Sequence, residues 1–265
     1  RQVGQYQLTR LLGKGGMGEV YLGQHWLLRR TCAVKLIRPE QAGSEQALVR
    51  FEREVQAMAQ LTHPNTVEVY DFGRTEDGTF FYAMEFLPGT TLEALVERHG
   101  PLPACRVVYL LSQVCGALAE AHAKGLVHRD IKPSNIFLPR GDVAQVKLLD
   151  FGIARLERAT TILTHTGTVV GTPGYMAPEQ AKGDRSTVDA RADVFSLGCV
   201  LFECLTGKPA FQATHVIALL AKLLLDEPPR VRELRPDAPE AIDDLIHRML
   251  AKDPADRPAT CDEVL

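Results

Sequence analysis

The feature that most narrows the fold of this chain is a change of pattern at Leu87-Pro88-Gly89. Before it, apolar residues mostly alternate with a period of two; after it they recur at the helical spacing of three and four. The first part reads as strands over residues 6–12, 19–23, 32–37, 67–72 and 80–86, with a turn at Glu76-Asp77-Gly78 and one helical stripe over 44–61. The second part reads as helices over 91–98, 103–124, 189–205, 214–225 and 238–251, with a last helical piece from Thr260. The expected fold class is α+β and bilobal. A small β-rich lobe with one helix, 1–87, adjoins a larger, mainly helical lobe, 88–265. A chain of 265 residues is long enough to build both.

Bulk properties exclude several classes. With 45% apolar and 24% charged residues the chain is globular and soluble rather than disordered. A net charge of -3 carries no polyanion signature, so no nucleic-acid partner is expected. The nearest apolar run to a membrane span, 216–225, is short and interrupted by Lys222, and no signal peptide opens the chain. This segment is therefore expected to work in the cytoplasm without membrane contact. Its start at Arg1 and stop at Leu265 read as an excised piece, which leaves room for an anchor in a longer parent. The cysteines at 32, 105, 115, 199, 204 and 261 form no Cys-x-x-Cys pair and sit mostly among apolar residues, as buried reduced thiols do.

The densest chemistry lies in His128-Arg129-Asp130-Ile131-Lys132-Pro133-Ser134-Asn135, where a helical run has stopped at Gly125 and Pro133 forbids its continuation. A solvated surface loop is the plain reading. As a catalytic loop, Asp130 would take or orient a hydroxyl proton, Lys132 would steady a transferring phosphoryl group and Asn135 would hold a metal. Upstream stands Gly13-Lys14-Gly15-Gly16-Met17-Gly18. A Walker A loop needs Gly-Lys-Ser/Thr at its end, and a dinucleotide fingerprint needs a helix straight after it; here Glu19-Val20-Tyr21-Leu22 resumes a strand alternation. What remains is a glycine-rich hairpin whose backbone N–H groups can approach phosphates closely.

Lys35 sits inside the apolar run Ala33-Val34-Lys35-Leu36-Ile37. It is either an edge lysine with its head in water or a buried cation, and a buried cation requires a carboxylate. Glu54 is the available acid, because it falls on the apolar stripe of the 44–61 helix at three and four residues from Phe51 and Met58.

These motifs, with Asp150-Phe151-Gly152 and Ala177-Pro178-Glu179, stand in the order and spacing of protein kinases, and the chain resembles that family over essentially its whole length. In detail it is most similar to the bacterial members of the eukaryotic-like (Hanks-type) Ser/Thr kinases. The resemblance implies the bilobal protein-kinase fold, ATP and Mg²⁺ as cofactors with Mn²⁺ as a substitute, and protein substrates. It implies an adenine slot walled by Leu12, Val20, Ala33, Met84 and Phe137, with backbone groups of Glu85 and Leu87 at its edge. Gly13, Lys14, Gly15, Gly16, Met17, Gly18 and Glu19 would cover the phosphates. Lys35, held by Glu54, would pair with them, and Asn135 and Asp150 would hold the metal. Asp130 and Lys132 would be catalytic. Arg129, Glu179, Asp193 and Arg257 would be structural, Asp193 bracing the catalytic loop and Arg257 pairing with Glu179. Lys132-Pro133 and Gly171-Thr172-Pro173 point to Ser/Thr over Tyr. Thr164 and Thr166 would accept phosphate in an activating autophosphorylation, which implies transient homodimers. Phe195 stands where tryptophan is more usual.

Two rival readings differ in class. A pseudokinase-type ATP-binding scaffold would typically lack the lysine or one of the aspartates, and Lys35, Glu54, Asp130, Asn135 and Asp150 are all present. A small-molecule phosphotransferase would not need the platform formed by Ala177-Pro178-Glu179 and the threonine-rich stretch before it.

Overall fold

The computed structural model describes residues 1–15, 18–37, 45–151, 173–183 and 188–265. Its N-terminal part is a six-stranded antiparallel sheet of β1 (Gln2–Val3), β2 (Tyr6–Gly15), β3 (Gly18–His25), β4 (Thr31–Ile37), β5 (Val69–Arg74) and β6 (Phe80–Glu85), in the spatial order β1-β2-β3-β4-β6-β5. Both faces of β4 are buried. Cys32, Val34 and Leu36 join Tyr6, Leu8 and Phe81 in a small core on one face. Ala33 and Ile37 join Tyr82 and Met84 on the other, where helix α1 (Glu45–Met58) lays down Phe51, Val55 and Met58 at i, i+4 and i+7. Phe51 meets Phe80 edge-on with ring centroids 4.5 Å apart.

The rest of the chain carries a three-stranded sheet, β7 (Gly89–Thr91), β8 (Ile136–Pro139) and β9 (Lys147–Leu148), among helices. In chain order these are α2 (Leu92–His99), α3 (Ala104–Ala123), α4 (Pro178–Ala181), α5 (Ala190–Thr206), α6 (Val216–Leu225), α7 (Val231–Leu234) and α8 (Glu240–Met249). Thr91 caps α2 by accepting the Ala94 N–H, and Asp189 caps α5 by accepting that of Arg191. Gly207, at φ 71°, closes α5 in the left-handed conformation. Helix α5 is buried nearly all round, including Asp193 and Ser196. A polar side chain in such a place needs partners, and Asp193 finds them in the N–H groups of His128 and Arg129.

Three expectations change. The short sheet β7–β9 and the four-residue helices α4 and α7 were not in the sequence pattern. From Thr260 the chain turns instead of continuing as a helix, with the Glu263 N–H bound to Thr260 Oγ1 and the Ala259 N–H to Glu263 Oε2. The segment nearest a membrane span is α3, not 216–225: an 18-residue window of it reaches a mean hydropathy of 1.2, but its apolar face, Val107, Leu110, Leu111, Val114 and Leu118, is packed into the core.

Contacts behind α1 and at the end of β6 help to fasten the sheet to the helices. Behind α1, the Glu120 carboxylate on α3 accepts the N–H groups of Thr62 at 3.1 Å and His63 at 2.9 Å, while Lys124 Nζ donates to Gln60 O at 2.6 Å. Burial pushes the Glu120 carboxyl up, but Lys124 and the Thr62 and His63 donors outweigh it and hold it at about 2. At the end of β6, Lys147 Nζ on β9 donates to Glu85 Oε1 at 2.6 Å and to Thr66 O at 3.2 Å.

Candidate active site

Strand register brings the N-terminal half of the site together. Val20 faces Lys35, Ala33 faces Met84 and Lys35 faces Tyr82, so their side chains lie on one sheet face. Glu85 follows Met84, and its N–H donates to Glu68 O. Leu87 lies in the link to β7 and Phe137 on β8, both half-buried, whereas Leu12 is exposed on β2. Beyond Leu12 the β2 arm of the β2–β3 hairpin is exposed, with Gly13 opposite Val20, Lys14 opposite Glu19 and Gly15 opposite Gly18. Lys14 and Glu19 form an ion pair at 3.1 Å. A Cβ on Gly18 would sit 2.0 Å from Leu36 O, so only glycine fits there. A Cβ on Gly13 or Gly15 would meet nothing within 4 Å, which leaves open space at the hairpin. Gly16 and Met17 lie outside the described residues.

The half of the candidate site built on residues 128–135 is held from below. Asp193 Oδ2 accepts the His128 N–H and Asp193 Oδ1 the Arg129 N–H, each at 2.7 Å, while His122 Nε2 lies 2.8 Å from Oδ2. These bonds hold Arg129 at φ 64°, a conformation that a non-glycine residue rarely adopts unaided. Gln180 Nε2 donates to Arg129 O at 3.1 Å. His128 is fully buried: its Nδ1 accepts the Asp130 N–H and its Nε2 donates to Leu149 O, and burial holds its pKa below the ordinary value despite the surrounding carboxylates.

Asp130 is 7% exposed, with Lys132 Nζ 3.0 Å from its Oδ2. Asn135 Nδ2 donates to Asp130 O at 2.8 Å and to Asp130 Oδ2 at 3.1 Å. With its nitrogen spent on Asp130, Asn135 presents its amide oxygen as the end suited to a hard cation. Asp150 reaches the same site from the chain after β9. Phe151 turns inward against His128, with centroids 4.5 Å apart, and the Asp150 carboxylate turns to the sheet. There Lys35 Nζ lies 2.8 Å from Asp150 Oδ2, and the Tyr82 hydroxyl donates to Asp150 Oδ1 at 2.9 Å. Burial would raise the Asp150 carboxyl, but Lys35 and Tyr82 together hold it below the usual carboxylate value.

One expected pair does not form. Lys35 is 7% exposed and does need an anion, but the anion is Asp150; Glu54 instead lies 3.5 Å from Arg129 Nη1. The sequence places Glu54 on the buried stripe of α1 but does not set where α1 sits relative to β4, and that position decides the partner. Arg129 Nε is buried with no hydrogen-bond partner among the described residues. Thr164, Thr166 and Gly152 lie outside the described residues.

Farther down, Arg257 uses all five of its N–H groups. Nη1 and Nη2 bind Glu179 Oε1 and Oε2 at 2.7 and 2.9 Å, and the other three go to the carbonyls of Ala251, Arg191 and Lys252. Its guanidinium lies 4.9 Å from the Phe195 ring centroid. Sequence reasoning did not single out Tyr82, His122, Glu120 or Lys147. For Tyr82 a signal existed: a phenol in an apolar strand, on the same face as Lys35, needs an acceptor.

The protein kinase domain model matches residues 6–265. Similar curated proteins include the serine/threonine-protein kinase pkn3 of Myxococcus xanthus, 41% identical over 97% of this chain, and PknD of Mycobacterium tuberculosis, 45% identical over 97%. PrkC of Bacillus subtilis is 38% identical over 98%. The chain spans 48%, 38% and 39% of those three proteins, respectively. Among solved structures, the PknI kinase domain of Mycobacterium tuberculosis, as a cysteine-to-alanine mutant, matches with a TM-score of 0.79 at 32% identity, covering 100% of this chain and 94% of that one. A family model matched almost end to end, on a curled sheet over a helical base, settles the assignment: the chain belongs to the protein kinase family.

Proposed function

We propose that this chain is the catalytic domain of an ATP-dependent, non-specific protein serine/threonine kinase, with the nucleotide lid in 1–87 and the catalytic and substrate-binding parts in 88–265. The observation that carries the reading is one cluster: Lys35 and Asp150 in contact at 2.8 Å, and Asp130 tied to both Lys132 and Asn135. A protein kinase domain uses ATP and a divalent cation, which supply the transferable phosphoryl group and positive charge on its oxygens. The residues present suit that pair. Asp150 and the Asn135 amide oxygen are hard donors for Mg²⁺, with Mn²⁺ as a substitute, and the hairpin around Gly13 and Gly15 leaves open space for phosphates. Asp130 orients the attacking hydroxyl and receives its proton, and Lys132 offsets charge beside it. Lys35 binds phosphate oxygens. Val20, Ala33, Met84, Leu12 and Phe137 enclose the adenine.

Activation follows from Arg129. A phosphate on Thr164 or Thr166, placed there by a second copy in a transient dimer, gives Arg129 a stronger anion than Glu54 and a use for its spare Nε–H. Glu54 would then exchange Arg129 for Lys35. The test is radiolabelled ATP with Mg²⁺, the purified chain and a basic protein substrate, with Asp130→Asn as control. Label on Ser and Thr that the control loses by about a hundredfold or more supports the reading; nucleotide binding without any transfer overturns it in favour of a scaffold.

A further inference from the structure

Tyr82 carries a hydroxyl that packing does not need. Its ring lies on the buried face of β6, 1% exposed and beside Phe51, where phenylalanine would fill the same space. A buried phenol must find an acceptor, and this one donates to Asp150 Oδ1 at 2.9 Å. We propose that Tyr82 is a positioning residue for Asp150, fixing the plane of its carboxylate and keeping it turned inward for the divalent cation. The proposal rests on the metal-holding role given to Asp150 above.

Four features support it. Lys35 and Tyr82 hold one oxygen each, at 2.8 and 2.9 Å, so the carboxylate cannot rotate without breaking a bond. Asp150 sits at φ 42°, a backbone conformation that is unfavourable for a non-glycine residue and that outside bonds must maintain. The Tyr82 ring belongs to a central strand and packs on α1, so the phenol cannot follow Asp150 if it swings away. An outward Asp150 would leave a buried hydroxyl without its partner, a bias of roughly fivefold to a hundredfold toward the inward position. Finally, the phenol is an uncharged donor, whereas the Lys35 head is a cation. Lys35 competes with a cation for the carboxylate by charge, whereas Tyr82 can keep its bond while a cation shares the same group.

The test is Tyr82→Phe, read first by Mn²⁺ affinity, measured by electron paramagnetic resonance with a non-hydrolysable ATP analogue bound. About tenfold to a hundredfold weaker Mn²⁺ binding is expected, with affinity for the metal-free nucleotide unchanged. Kinetically, the Mg²⁺ requirement should rise while kcat at saturating Mg²⁺ recovers. The second readout needs no ligand: melting temperatures of the wild type, Tyr82→Phe, Asp150→Asn and the double variant. Non-additive shifts are expected, and any packing loss common to both backgrounds cancels in this cycle. Mn²⁺ affinity within about twofold of wild type, or strictly additive melting shifts, overturns the positioning role and leaves Asp150 as metal holder intact. A wild-type chain that binds nucleotide but no Mn²⁺ overturns both.

Discussion

Replacing Arg257 by alanine should unfold this domain at a markedly lower temperature. The side chain is 4% exposed and makes five hydrogen bonds, two of them to Glu179, which is itself 6% exposed. Truncation leaves a carboxylate and three carbonyls without their donor inside the protein. A buried charge stripped of its partner costs about 3–5 kcal/mol. For a domain of this size each kcal/mol moves the melting temperature by about 2–4 °C, so a drop of about 6–20 °C is expected. Differential scanning calorimetry of Arg257→Ala, Glu179→Gln and the double variant separates the pair from its surroundings. The double variant should melt above the sum of the single effects, because the second change removes the group that the first left stranded. Arg257→Lys should recover only part of the loss, since three donors on a flexible stem cannot replace a planar fork. If Arg257→Ala melts within about 2 °C of wild type, the buried pair does not support the fold and the reasoning fails.

Thr164→Ala with Thr166→Ala should lower phosphotransfer and the phosphate content found by mass spectrometry after incubation with Mg²⁺ and ATP; unchanged activity would sink the switch assigned to Arg129. Glu120 makes acid stability testable. Its folded pKa, about 2, lies below the 4.5 of a free glutamate, so its contribution is complete above about pH 4.5 and disappears as pH falls toward about 2. The stability gap between wild type and Glu120→Gln in urea should therefore narrow between about pH 6 and about pH 3, and a constant gap would refute the assignment.

Much of the architecture was legible because strong signals are local. The apolar run over 32–37 encodes a strand buried on both faces, the long apolar stripe of α3 encodes a face to bury, and the run from His128 to Asn135 is dense with chemistry within eight residues. The four-residue helices α4 and α7 were not legible, since so short a helix is stable only through the packing around it. The contact that Lys35 makes in this structure was not legible for a related reason. Spacing along α1 puts Glu54 on the buried side, but whether it meets Lys35 or Arg129 depends on a rigid-body placement that no spacing encodes. Tyr82 went unnoticed because strand periodicity registers its ring and says nothing of its hydroxyl.

The clamp at residues 60–63 and the Lys147–Glu85 bridge act like two stitches in the spine of a book. Backbone bonds run beside them, from Val67 N–H to Leu148 O at 3.1 Å and from Leu148 N–H to Asn65 O at 2.7 Å. Lys35–Asp150 and Glu54–Arg129 add ties next to the 128–135 loop. Cutting a stitch of the spine would let the cover shift over the pages even with Lys35, Asp130 and Asp150 untouched.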